Sequence, residues 1–270
     1  NNRQIIKSDL IPHFWRAPLD NDLGNQMHIR TARWKNVGKE LTVQYFQRSL
    51  ANNVAKIKVI TEHKITGSRI TMTYRIYGNG LIDIQQQLKT GNKKLPEIPR
   101  FGMKMTLPKD FNRLTWYGRG PHESYWDRKT STSVKVFSGS VWDQTYPYVR
   151  PQETGNKTDI RWMALDNGTI GLLAIGQPTF DGSVHQYPYS DLDYVPAGRH
   201  HGKLDLQPKN QVDWLIDYRQ TGVGGDNSWG ARPHLKYTLA GNSISYEYHF
   251  YLRPFVKDDD LMTLSKLKIK

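Results

Sequence analysis

Four stretches gather the residue types that bind or react. HFWRAPLDNDLGN (His13–Asn25) carries Arg16, Asp20 and Asp22, and WYGRGPHESYWDRK (Trp116–Lys129) carries His122, Glu123, Tyr125, Asp127 and Arg128. PYVRPQETGNKTDIRW (Pro147–Trp162) sets Arg150, Gln152, Glu153 and Asn156 around a turn. TGVGGDNSWG (Thr221–Gly230) ends a run of small, turn-forming residues with Trp229. Asp20 and Asp22 flank Asn21 as in a calcium loop, but the spaced glycine and bidentate glutamate of an EF-hand are missing. Pairing with Arg16, or capping a following helix, suits these carboxylates better. His122 beside Glu123 offers an acid/base couple, yet neighbours at i and i+1 on a strand point to opposite faces. No strand–turn–helix elbow supports a serine triad. His200–His201 lacks a third ligand at metal spacing and reads as two surface histidines. What the four stretches share is aromatic rings beside short polar side chains. Flat rings stack on the C–H faces of sugars, and Asp, Asn, Arg and Glu bond their hydroxyls, so the composition leans toward carbohydrate.

The bulk composition narrows the classes. The 270 residues suffice for a substantial core. Cysteine is absent, which removes disulfides, thiol catalysis and thiolate metal sites. The formal charge is +13, but Lys and Arg are spread along the chain, with local clusters only at GNKK (Gly91–Lys94) and SKLKIK (Ser265–Lys270). Recognition-helix periodicity, a glycine-rich phosphate loop and an RNP-like strand are missing, so a solvated basic surface is expected rather than nucleic-acid binding. No apolar run approaches about 18 residues, so no membrane-spanning helix is expected. The N-terminus lacks an initiator Met and the apolar core and cleavage site of a signal peptide. A mature or excised piece of a longer protein is the expectation.

The elements that must position these residues are strands. RITMTYRIY (Arg69–Tyr77) alternates Ile70, Met72, Tyr74 and Ile76 with polar residues; Gly78–Gly80 follow, and LIDIQQQLK (Leu81–Lys89) places Ile82, Ile84 and Leu88 on one side. That is a β-hairpin. KIKVITEHKI (Lys56–Ile65), KMTLP (Lys104–Pro108), QVDWLIDYR (Gln211–Arg219) and SISYEYHFYL (Ser243–Leu252) read as further strands. RWMALDNGTIGLLAIG (Arg161–Gly176) has an Asn-Gly turn at its centre. The one helical signal is Gln26–Leu41, where Ile29, Ala32 and Val37 fall near helical spacing before Gly38 interrupts. No linker, repeat or strand–helix alternation divides the chain. The expectation is all-β: a single large antiparallel β-sandwich over residues 1–270, with one or two short helices at most.

A resemblance sharpens this. FWRAPLDNDLG (Phe14–Gly24), YGRGPHESYWDR (Tyr117–Arg128), YVRPQETGNKTDIRW (Tyr148–Trp162) and GVGGDNSWG (Gly222–Gly230) match, in order and spacing, the C-terminal domain of large bacterial β-galactosidases of glycoside hydrolase family 2. The resemblance implies a galactose mutarotase-like supersandwich. It also implies a parent enzyme that hydrolyses terminal β-D-galactosides, such as lactose, with retention, using two glutamates on a TIM barrel elsewhere in the polypeptide. Neither glutamate motif nor a barrel is present here, so Glu123 and Glu153 are assigned no catalytic role and the isolated chain is expected to be inactive. No cofactor is expected in this chain, since family enzymes often use Mg and Na through other domains. The implied contribution is Trp229, an aromatic wall on the aglycone side of the substrate. Asp226 and Asn227 would shape its loop by turn-type bonds and Gly224 and Gly225 would supply its backbone angles, with Arg16, Asp20 and Asp22 in support. Asn227 departs from the Asp of many members, and the basic balance is left unexplained. Two other readings stay open: a non-catalytic carbohydrate-binding module, and an aldose 1-epimerase using His122, His185 and Glu153, whose surroundings look unlike the epimerase pattern.

Overall fold

The computed structural model describes residues 4–91, 94–195 and 206–266; His200 and His201 lie outside them. The described chain is dominated by twelve antiparallel strands: β1 (Ile11–His13), β2 (Thr42–Ala51), β3 (Val54–His63), β4 (Ser68–Tyr77), β5 (Ile82–Lys89), β6 (Arg100–Pro108), β7 (Arg113–Gly120), β8 (Ser133–Ser140), β9 (Lys157–Asp166), β10 (Ile170–His185), β11 (Gln211–Gln220) and β12 (Ser245–Val256). They form two layers that share β10. One layer runs β8-β7-β9-β10-β12-β5-β4-β3-β2; the other runs β1-β6-β11-β10.

The length of β10 makes this possible. Ile170–Gln177 pair with β12, while Asp181–His185 pair with β11, and the register to β9 slips between Ile175 and Phe180. A strand that bends at such an irregularity can pass from one sheet to the next. Its flanks, RWMALD on β9 and GLLAIG on β10, are buried on both faces, which is why they read as apolar runs rather than alternations.

Elsewhere the alternation is legible. Phe101, Met103, Met105 and Leu107 of β6 and Val212, Trp214 and Ile216 of β11 face Ile84 and Leu88 of β5 and Tyr248, Phe250 and Leu252 of β12 in one buried cluster. Tyr248 crosses the layers: its hydroxyl donates to the Ile216 carbonyl at 2.8 Å, and its ring stands edge-on to Phe101 at 5.5 Å. The β4–β5 turn closes on Gly80 at φ +82, and the β9–β10 turn on Gly168 at φ +86. The β2–β3 turn uses Asn52 and Asn53, both left-handed, as a two-residue hairpin demands.

The Gln26–Leu41 segment holds one short α-helix, within the expected limit. It is a broken run of short turns, α2 (Met27–Arg30) and single 3-10 turns at Ala32–Trp34 and Val37–Lys39. Ile29 is exposed, whereas Trp34 and Val37 are buried. Gly38 lies where an added Cβ would stand 1.8 Å from the Pro12 carbonyl oxygen, so the chain folds back on β1 instead of coiling onward. The other α-helices among the described residues are α1 (Asp20–Gly24), and α3 (Leu261–Ser265), capped by Asp260. α3 covers a satellite cluster of Trp162, Ala164, Leu173, Ile175 and Phe255.

Candidate functional site

The four sequence stretches are drawn together at one edge of the sandwich, where β11 runs out into the loop of Trp229. The base of that loop is held by a buried cation. Arg16 donates Nη1 to the carbonyls of Thr221 and Gly222, the latter at 2.9 Å, and Nη2 to Asp22 at 2.6 Å. Asp22 also accepts the Leu19 amide at 3.0 Å, capping the first turn of α1. The expected pairing of this carboxylate with Arg16 is therefore present. Asp20, two residues before it, faces away and pairs with Arg150.

Above the base, Asn21 of α1 holds the far limb of the loop. Its Oδ1 accepts the Gly230 amide at 2.7 Å and its Nδ2 donates to Ala231 O at 2.8 Å. Asp127 holds the near limb, accepting Val223 N at 3.0 Å and Gly224 N at 2.7 Å. At the apex Asn227 Oδ1 accepts Trp229 N at 2.9 Å and Ala231 N at 3.3 Å, the turn bond expected of it. Asp226 makes no such turn; it pairs outward with His234 at 2.7 Å.

The glycines serve differently from expectation. The left-handed residue of the loop is Gly230, at φ +102, not Gly224 or Gly225. At Gly225 the need is for space, since a Cβ would stand 2.4 Å from Ala231 O. At Gly224 a Cβ would come within 3.2 Å of Asp127 Oδ2, and at Gly222 within 2.5 Å of it. From this tied frame Trp229 projects with 88% of its surface exposed. The indole is thus left uncovered on a backbone tied at both limbs.

The neighbouring carboxylates are saturated. Glu123 takes bonds from Arg128 and Tyr148, and from Gly155 N at 2.8 Å, with Thr154 and the Tyr125 hydroxyl at 3.2 and 3.3 Å. Glu153 is fully buried, paired with Arg100 at 2.8 Å and bonded by the Tyr189 hydroxyl. His185 is also fully buried, its ring tilted against Tyr189 at 5.4 Å, and burial pulls it down to about 3. His122 is exposed and touches Ser131. The epimerase trio thus offers no solvent-accessible acid/base pair. Around Arg100 the interior is strongly polar: burial raises Asp217 to about 8 and Asp181 to about 7, while Lys157 is lowered to about 8. Among the described residues no three His, Asp or Glu side chains gather as a metal site.

Residues 1–252 match the family model described as Beta galactosidase small chain. The chain belongs to this β-galactosidase small-chain family. A β-galactosidase of Priestia megaterium is 39% identical over 254 residues, covering 93% of this chain and 24% of the relative. That of Lactobacillus delbrueckii subsp. bulgaricus is 33% identical, covering 84% and 22%. The chain spans about a quarter of the length of these curated relatives. Among solved structures, the galactosidase domain of an alpha-galactosidase-sucrose kinase aligns at TM-score 0.42 and 8% identity over 80% of this chain and 28% of that one. In this small-chain domain Asn21 and Asp127 are the loop contacts that sequence reasoning missed. Both sit in the quoted motifs, but only the fold brings them to residues 223–231.

Proposed function

We propose that this small-chain domain completes the active site of a β-galactosidase by presenting Trp229 to the aglycone side of the substrate, while another domain of the same polypeptide supplies the two catalytic glutamates. The observation that supports this reading is the exposure of Trp229, 88%, on a loop tied by Arg16, Asn21 and Asp127. Exposing an indole wastes the burial of a large apolar surface, and clamping its backbone has use only if the ring meets something at a fixed place. Stacking on the C–H face of a sugar or on an aryl aglycone uses that flat face without demanding a hydrogen-bond partner.

The environments of the carboxylates support this division of labour. A retaining glycosidase needs two carboxyl groups about 5 Å apart across an open cleft. Glu123 and Glu153 are occupied by cations, hydroxyls and amides, and Glu153 has no exposure at all. Neither can meet a glycosidic oxygen. In this reading, galactosides such as lactose are bound mainly by the barrel domain, and no residue of this chain is given an ion to hold.

The test compares the isolated chain with the intact enzyme on a nitrophenyl galactoside. The intact enzyme is expected to hydrolyse it and the 270 residues alone to leave it untouched. Robust hydrolysis by the isolated chain overturns the reading. Calorimetry of the isolated chain with galactose or lactose is expected to show weak binding or none, which separates this role from that of a free-standing carbohydrate-binding module.

A further inference from the structure

Asp127 stands on an unusually well-held perch. Tyr125 and Arg128 exchange both backbone bonds at 2.9 Å, leaving Trp126 and Asp127 as the two-residue tip of a tight hairpin. Tyr125 is fully buried beneath the Arg128 guanidinium, 4.9 Å from its ring. Trp126 is gripped from two sides, by the Arg219 guanidinium at 4.7 Å and by the edge of Tyr237 at 5.8 Å. The carboxylate between these anchors has little freedom of its own.

Both of its oxygens are committed to the platform loop: Oδ1 accepts Val223 N and Oδ2 accepts Gly224 N. Among the described residues Asp127 has no ion-pair partner. A charge-assisted bond to a backbone amide is among the stronger hydrogen bonds available, and two adjacent amides taken by one carboxylate fix the orientation of the peptide between them. Gly222 is shaped to the same purpose, because a Cβ there would stand 2.5 Å from Oδ2 and push the carboxylate away. Residues 225–229 then span the gap between the Asp127 clamp on one limb and the Asn21 clamp on the other. With both limbs fixed, the position of Trp229 follows.

We infer that Asp127 is the positioning residue that sets where Trp229 stands toward the substrate, an inference that rests on the platform reading above. Asp127 touches no substrate; it acts through the loop backbone. Asn at this position keeps the shape but turns one acceptor into a donor facing an amide N–H, and so breaks half of the clamp.

The experiment uses the intact β-galactosidase carrying this chain, with Asp127→Asn, Asp127→Ala, Gly222→Ala and Trp229→Ala, alone and with Asp127→Ala combined with Trp229→Ala. Each of the first three is expected to raise KM for a nitrophenyl galactoside about three- to tenfold with kcat little changed, as loss of placement for uniform binding predicts. In the Trp229→Ala background, Asp127→Ala is expected to add less than about twofold, since its effect passes through the missing ring. With 5-fluorotryptophan incorporated, the Trp229 resonance, assigned by its loss in Trp229→Phe, is expected to shift in Asp127→Asn while those of the buried Trp34 and Trp214 stay in place; Trp126, next to the substituted residue, is left out of the comparison. Should Asp127→Ala fail to fold, Asp127→Asn and Gly222→Ala carry the same reading. If Trp229→Ala raises KM and the Asp127 and Gly222 variants do not, this inference falls and the platform reading stands. If Trp229→Ala itself leaves KM unchanged, the platform reading falls first. A full Asp127→Ala effect in the Trp229→Ala background overturns the inference by placing the action of Asp127 elsewhere.

Discussion

Trp229 and Arg100 mark the two extremes of environment for a single side chain in this protein. Trp229 is almost bare, so Trp229→Ala in the intact enzyme should weaken substrate binding by about 1–3 kcal/mol, by analogy with other aromatic stacking. Its effect on stability should stay within about 0.5 kcal/mol, as for a surface change touching no core. Paired KM and urea-unfolding measurements check this; a large stability loss with unchanged KM refutes it. Arg100 is fully buried between Glu153 at 2.8 Å and Asp217 at 3.3 Å. Arg100→Ala strands a buried carboxylate and should cost about 3–5 kcal/mol of stability. Asp217 itself carries a pH signature. Burial raises it from 3.8 to about 8 against the opposing pull of Arg100. Between those values the unfolded chain sheds a proton that the folded chain keeps, so this group's stabilising contribution is whole below 3.8 and is lost as pH rises toward 8. Asp181, raised to about 7, acts in the same sense; His185, lowered to about 3, acts in the opposite sense and loses its contribution as pH falls below 6.5. Asp217→Asn should therefore gain stability relative to the wild type steadily from pH 5 to pH 8. Unfolding titrations across that range check it, and a constant difference would refute the assignment.

At the scale of elements, what decides the outcome is how far apart in sequence the interacting residues lie. The β4–β5 and β9–β10 hairpins are local, and Gly78–Gly80 and Asn167-Gly168 announce them in the sequence. The β2–β3 hairpin is equally local. Its Asn52-Asn53 turn was a readable signal, but a register slip between Val43 and Tyr45 blurs the alternation of β2. Within Gln26–Leu41 only Met27–Arg30 forms an α-helix, and spacing alone cannot tell the exposed Ile29 from the buried Trp34 and Val37. The site was half legible for the same reason. Arg16 with Asp22 and Asn227 with Trp229 are near neighbours, whereas the Asp127 contact joins residues 96 apart and only the topology creates it. The tie between layers is likewise non-local. Tyr248→Phe removes the bond from β12 to Ile216 of β11 and should cost about 0.5–1.5 kcal/mol. A lower urea midpoint at unchanged slope is the expected result, while an unchanged midpoint would show the layers to be joined by packing alone.

For the whole molecule, the longer layer overhangs the shorter one. Val43, Phe46, Leu50 and Ile76 lie on the face that continues the core, yet they are 59, 59, 76 and 37% exposed. Leu50→Ser should therefore change the stability of the chain by no more than about 0.5 kcal/mol, while Phe250→Ala, at a fully buried site a few strands away, should cost about 3–5 kcal/mol. Comparable costs at the two sites would mean the overhang is covered in solution. The place of β12 carries a last consequence, one of timing. It is the last strand among the described residues, yet it sits between β5 and β10 in the middle of the longer layer. During synthesis the earlier strands must wait with two unpaired edges and an open apolar face until Ser245–Val256 leave the ribosome. Assembly of the longer layer therefore waits for β12, and a nascent chain stalled before residue 245 is the form most exposed to aggregation.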